Sequence, residues 1–235
     1  RILRAIYFQS KFGFEIDNET KKAMSKTAHL IKELASERIL QELIKILKEK
    51  HIKKALQTMI ELGIDEQLPG LSKGIKYCAN LDKMPYIDPF FTLCFILNDG
   101  VIPDAWKFSN KDHNKYLKAA QLATQSPYID QVALYQYGLE ISLLANKTNS
   151  FLNKTAYAQN KIIAMYEELP VKSELDLAIS SDEMMTLLNK KPGAWISQAK
   201  TSMVQAVLTG TIKNNKEELN SFLARKYQGG NHENS

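Results

Sequence analysis

Residues 36–50 read SERILQELIKILKEK, and this stretch decides the fold class. Ile39, Leu40, Leu43, Ile44 and Leu47 fall on one face of a helix with 3.6 residues per turn, and the remaining positions except Ile46 are polar or charged. The same period recurs in nearly every segment of the 235-residue chain. No alternating run punctuated by Asn-Gly or Asp-Gly indicates a sheet. The expected fold is all-α.

Upstream, RILRAIYFQSKFGF (1–14) is helical from its first residue, with no Ser, Thr, Asp or Asn ahead of it to take up the free backbone donors. Its end carries a stop: Gly13 suits a left-handed position, with Phe14 expected to fold back on Phe8 in a Schellman arrangement. An uncapped start with a built end reads as a chain whose N-terminal part is missing. Asp17 is the expected cap of a helix through Ala28. Downstream, a helix runs from about Ile52 to Leu62 and stops at Gly63, and QLPGL (67–71) is a turn and a candidate boundary.

Further helices are expected over Lys73 to Met84, Pro89 to Asn98 with Asp88 as cap, and Asn110 to Gln125 with Ser109 and Asp112 as a capping pair. Two more follow, Pro127 to Ala145 behind Ser126 and Ser150 to Glu168. Leu169-Pro170 breaks the pattern. Beyond it, Ser180 and Glu183 cap a short helix, KKPGAW (190–195) turns into a long one, and Asn215 with Glu218 caps the last. GGNHENS (229–235) has nothing to pack and reads as a disordered tail.

Composition excludes several classes. At 44% hydrophobic the chain can bury real cores, but no run reaches the roughly 18 uninterrupted apolar residues of a membrane span, so no membrane partner is expected. Cys78 and Cys94 both lie in apolar stretches and read as buried thiols of a reducing compartment, the cytoplasm. The net charge of +5 is concentrated at the front, where residues 1–60 carry 13 Lys and Arg against 7 Asp and Glu. Of 31 cationic residues only Arg1, Arg4, Arg38 and Arg225 are arginines, so three in the first 38 positions suggest work for a planar, forked donor.

No catalytic centre emerges. His29, His51, His113 and His232 share no ligand spacing with one another or with the cysteines, so no metal site is expected. No Gly-rich phosphate loop and no G-x-S-x-G is present. Glu174 and Asp176 form a close acidic pair, but in a linker rather than on a rigid element. The positive signal is Arg1 and Arg4, one turn apart on a helix face with Tyr7 and Phe8 beside them. Guanidinium forks pair with base edges or phosphates, and the competing reading is an exposed, solvated helix face.

RILRAIYFQSKFGFEIDNET, followed by SERILQEL and then LPGL, resembles the neck of class II tRNA nucleotidyltransferases, the CCA-adding enzymes and bacterial poly(A) polymerases. That family shows E-D-x-x-R-x-L-R-A, then F-x-x-x-x-G-F-x-I-D, then E-R-I-x-x-E-L, and KKPGAWI resembles the tail of the bacterial CCA-adding type. The resemblance implies an elongated multi-helix array: neck over 1–66, body over 67–168, tail over 169–228 and a disordered end over 229–235. It implies addition of CCA to tRNA 3′ ends from CTP and ATP with Mg²⁺, the metal being bound by a head domain that this chain lacks, so that the chain alone is inactive.

By the same resemblance Arg1, Arg4 and Tyr7 bind the nucleotide, Tyr7 standing where the family often has a third arginine. Glu37, Arg38 and Glu42 brace the neck, Arg38 and Glu42 also being i,i+4 neighbours by spacing. Lys190, Lys191 and Gly193 bind tRNA at the start of the following helix. A poly(A) polymerase or a CC- or A-adding relative is the alternative within the family, and a non-catalytic helical RNA-binding module is the alternative outside it.

Overall fold

The computed structural model describes residues 1–228, and the GGNHENS reading lies outside the described residues. Among them there are twelve α-helices and no strand, as the periodicity requires. The chain forms two compact units, one of residues 1–128 with 140–158, the other of 129–139 with the chain from 159 onward.

The first unit begins with α1 (Ile2–Phe12), α2 (Asn18–Thr27), a 3₁₀ segment (Ala28–Glu33), α3 (Ser36–Ile46) and α4 (Ile52–Glu61). Asp17 caps α2 as expected, accepting the Thr20 backbone N–H at 2.9 Å. Gly13 is left-handed (φ 74°), but the stop differs from the expected one. The Gly13 N–H bonds the Gln9 carbonyl at 2.8 Å, Phe8 stacks on Phe12 rather than meeting Phe14, and Phe14 is exposed. Gly63 ends α4 at φ 67°. The core beneath these helices continues without interruption from Leu3 to Phe151.

Next come α5 (Ser72–Cys78), α6 (Ile87–Leu97) and α7 (Asn110–Gln125). The α5 helix is shorter than expected, ending at Cys78 instead of Met84. It packs so closely on α6 that a Cβ on Gly74 would overlap Cys94 Sγ and lie 2.6 Å from Cys94 Cα. Both cysteines are free and buried; burial pushes the Cys78 thiol up to about 12 and that of Cys94 well above its ordinary value.

Asp88 is not the cap of α6, whose first turn it occupies. Its carboxylate accepts the Tyr116 hydroxyl at 2.8 Å and pairs with Lys115 at 3.0 Å. Phe91, Phe95, Phe108 and Tyr116 form a contiguous ring cluster between α6 and α7. The Ser109 hydroxyl accepts the Asp112 N–H at 3.1 Å, so that capping pair stands as read.

A longer departure concerns α8 (Gln131–Phe151). Ser126 does not start it; Asp130 does, accepting the Ala133 N–H at 2.7 Å. The helix also continues past Ala145 and is broken at Gly138 (φ 76°, ψ 171°), where the two units divide. Its polar end NKTNS, residues 146–150, is largely buried. The Asn149 amide donates to the carbonyls of Ala123 and Ser126 at 3.1 Å each. Asn146 accepts the Ala158 N–H at 2.9 Å.

The second unit adds α9 (Gln159–Glu167), α10 (Ser181–Leu188), α11 (Trp195–Leu208) and α12 (Lys216–Gln228). The α9 helix starts nine residues after the expected Ser150, because residues 152–158 form a turn. Ser180 and Glu183 form a reciprocal capping box on α10, and Asn215 accepts the Glu218 N–H at 2.9 Å ahead of α12. Asn214 joins two loops, donating to the Asp176 carbonyl at 2.8 Å and accepting the Ala178 N–H at 2.9 Å.

Candidate nucleotide and RNA sites

The α1 helix buries Leu3, Ile6, Gln9 and Ser10. That spacing turns Arg1, Arg4, Tyr7 and Phe8 toward another side. The helix end is fixed by α4: the His51 N–H bonds the Ser10 carbonyl at 2.8 Å. Lys54 donates to the Gly13 carbonyl at 2.7 Å and pairs with Glu15 at 2.6 Å. His51 also fills the space a Cβ on Gly13 would need, its ring lying 2.9 Å from that position.

On the exposed side of α1 lies a pocket of about 680 Å³ within the first unit, a size suited to a small ligand. Arg1, Arg4, Tyr7 and Phe8 form one wall. Arg38, Glu42 and Lys45 of α3 form another. The third, made of Thr27, Leu30, Ile31 and Leu34, comes from the 3₁₀ segment and its flanks. The sequence carries no signal for this wall; in the fold two of its apolar residues, Leu30 (42% exposed) and Leu34 (37%), are left in the open.

The electrostatics of this pocket follow from its pairing. Glu42 is held by Lys45 at 2.8 Å, rather than by Arg38 as the i,i+4 spacing suggests. Among the described residues neither Arg1, Arg4 nor Arg38 joins an ion pair, since every salt bridge between them uses lysine. The Arg4 guanidinium instead lies 5.7 Å from the Phe8 ring centroid. Three unpaired forks beside one neutralised carboxylate make the pocket attractive to an anion, with apolar surface on which a flat ring can rest. Glu37 is outside the lining; its carboxylate accepts the Ser36 hydroxyl at 3.3 Å. The α3 helix has no side-chain cap.

In the second unit, α10 ends at left-handed Asn189 (φ 49°), and the Lys190 N–H bonds the Met185 carbonyl at 3.1 Å. Lys190, Lys191, Pro192 and Gly193 are all exposed. The α11 helix that follows has no side-chain cap; the Ile196 N–H donates to the Gly193 carbonyl at 3.1 Å, and a helix start of this kind favours an anion at its remaining donors. Ala199, Met203 and Val207 are buried while Trp195 and Ile196 are half-buried, so the helix is anchored along the expected face. A Cβ at Gly193 would meet Trp195 at only ordinary contact distance, 3.4 Å.

The linker acids serve structure. Asp176 accepts the N–H groups of Lys172 and Ser173 at 2.8 Å each, which holds its carboxyl below the usual range. Among the described residues no three His, Cys, Asp or Glu side chains are placed to hold a metal ion. No helix among them is long and apolar enough to cross a membrane.

Two family models match the chain. Residues 99–223 match tRNA nucleotidyltransferase domain 2, and residues 13–75 match a probable RNA- and SrmB-binding site of polymerase A. The CCA-adding enzyme of Bacillus subtilis is 28% identical over 241 residues, covering 95% of this chain and 59% of that protein. That of Bacillus licheniformis is 30% identical with the same coverage. The chain therefore spans about 59% of the length of these relatives. The Bacillus stearothermophilus CCA-adding enzyme in complex with CTP superposes with a TM-score of 0.83 at 23% identity, over 97% of this chain and 61% of that one. The Thermotoga maritima enzyme complexed with tRNA gives 0.52 at 19% identity, over 96% and 60%.

Proposed function

Because the chain belongs to the tRNA nucleotidyltransferase family, we propose that it forms the nucleotide-selecting and tRNA-binding part of a cytoplasmic CCA-adding enzyme. The observation that carries this reading is the pocket in which Arg1, Arg4 and Arg38 present unpaired guanidinium groups beside Tyr7 and Phe8. A guanidinium fork makes two in-plane hydrogen bonds to a base edge, so a protein side chain can discriminate among bases without a nucleic-acid template. Arg1 and Arg4 take the base of CTP or ATP, and Tyr7 contributes a ring rather than a third charge. Arg38, with Glu37 and Glu42, braces the neck region, residues 1–66; the body covers 67–168 and the tail 169–228.

Mg²⁺ belongs to this reaction by family resemblance, but the described residues bring no metal-holding set together. No phosphoryl-transfer step is therefore routed through them. Their part is to bind, to orient and to discriminate.

The test is base selection in the intact parent enzyme. Arg1→Lys keeps the charge and loses the fork. A good bidentate base contact is worth about 1–3 kcal/mol of discrimination. Incorporation of UTP or GTP relative to CTP and ATP should therefore rise roughly 5- to 150-fold, with the thermal midpoint nearly constant. Unchanged selectivity with a collapsed midpoint would make Arg1 a structural residue.

The tail contributes tRNA affinity. Lys190 and Lys191 flank the open start of α11, where phosphate contacts bind without reading sequence. Changing both to Ala should weaken binding about equally for different tRNAs and flatten the salt dependence by roughly one to two counterions. Titration of whole tRNA at several salt concentrations measures both quantities. Unchanged affinity and slope would remove these lysines from the interface.

A further inference from the structure

Beside the lysine corner lies a pair of rings that the proposed function leaves without a role. Trp195 at the start of α11 and Tyr227 in the last turn of α12 have ring centroids 6.0 Å apart, inclined by 60°. Both are half-buried. The indole N–H donates to the Lys191 carbonyl at 2.9 Å, which fixes the plane of Trp195. Lys190 Nζ lies 5.3 Å from the Tyr227 centroid. Lys226, adjacent to Tyr227, donates to the Ser202 hydroxyl at 2.6 Å.

Among the described residues, no carboxylate pairs with Lys190, Lys191 or Lys226. Two acids of the same elements are engaged elsewhere. Glu183 is taken by Lys216 at 2.6 Å and by the Ser180 N–H, and Glu218 by the Lys213 N–H at 2.6 Å. The ring pair thus has the Lys190 ammonium group beside it, with Lys191 next in the chain, while the Lys226 ammonium turns to Ser202 and the Phe222 ring. Ammonium groups favour a polyanion, and rings held in this way favour a flat face.

We infer that Trp195 and Tyr227, with Lys190 and Lys191 at the adjoining corner, form a stacking platform for an unpaired RNA base and its neighbouring phosphates. A duplex hides the faces of its bases, whereas a loop exposes them, so the platform selects looped over fully paired RNA. The inference rests on the proposed binding of tRNA by the tail.

The experiment titrates the chain with whole tRNA, with a fully duplex RNA of equal length and with heparin, a polyanion without bases. Tyr227→Leu should weaken tRNA binding roughly 5- to 150-fold, leaving the salt dependence and duplex binding unchanged. Tyr227→Phe should bind as the parent does, and Lys190→Gln should lower the salt slope by about one counterion. Tight tRNA binding that ignores Tyr227→Leu overturns the platform alone. Equal losses for tRNA, duplex and heparin overturn it as well, since a general loss is not stacking. Failure of the unsubstituted chain to bind tRNA better than heparin overturns the tail reading itself. If Tyr227→Leu does not fold, tRNA-dependent quenching of Trp195 fluorescence in Tyr227→Phe decides the matter: its presence supports the platform and its absence overturns it.

Discussion

Gly74→Ala should lower the stability of the first unit by about 3 kcal/mol or more, the upper range for overpacking a close-packed interior. The added Cβ would overlap Cys94 Sγ and come within 2.6 Å of Cys94 Cα. A side chain can rotate away from such a clash, but a backbone atom cannot, so α5 and α6 would have to move apart. Cys94 is fully buried between neighbours that are equally enclosed, including Phe90, Phe91 and Phe95, and separating the helices would open that core. Denaturant titration compares Gly74→Ala with Gly193→Ala, where the new Cβ meets its nearest atom at 3.4 Å and less than about 0.5 kcal/mol is expected. Cys94→Ala should not rescue the first variant, since the clash with Cα would remain. Equal losses at the two glycines would show that α5 and α6 separate at little cost.

Incorporation of CTP or ATP into tRNA lacking CCA should be undetectable with this chain alone, Mg²⁺ included. Enzymes accelerate their reactions by factors of about 10⁶ or more, which requires a preorganised centre. Among the described residues no three potential ligands converge on a metal. Of the linker acids that came nearest to such a site in the sequence, Asp176 is occupied by two backbone N–H groups and Glu174 accepts the Thr201 hydroxyl at 3.5 Å. The same preparation should still bind tRNA, which separates loss of chemistry from loss of folding. Turnover at the rate of the intact Bacillus subtilis relative, measured side by side, would place a catalytic centre within this chain.

Where local chemistry decides an element, the sequence was sufficient. Ser109 and Asp112, Asp17, and Ser180 with Glu183 satisfy helix starts through bonds spanning three residues. Such starts are legible in any window of that length. Where a distant partner decides, local reading failed. Asp88 precedes a proline and an apolar run, as a cap does, but Tyr116 and Lys115, across the α6–α7 contact, claim its carboxylate. Residues 146–149 read as a break between helices ending at Ala145 and starting at Ser150, because nothing nearby shows that Asn149 would find the carbonyls at the end of α7.

The pocket divides along the same line. Arg1, Arg4 and Tyr7 could be named from their spacing on one helix and from motif order. The 3₁₀ wall could not, since Thr27, Leu30 and Leu34 carry no periodic signature. The pairing of Glu42 with Lys45 instead of Arg38 likewise depended on a choice among neighbours on one turn.

The break at Gly138 bears on how the molecule can be dissected. Residues 129–139 belong to the compact unit completed by the chain from 159 onward, while 140–158 belong to the other. Each unit is therefore discontinuous in sequence, and the chain crosses between them more than once. A segment cut at residue 169 carries the lysine corner but leaves behind both Ile129–Leu139 and α9, part of its own unit. During synthesis, residues 129–139 emerge before the partners that complete their unit, and 140–158 close the other unit first. Exchange of tails between relatives therefore has to transfer two separate stretches, and it is the glycine inside α8, rather than a linker between helices, that marks one of the seams.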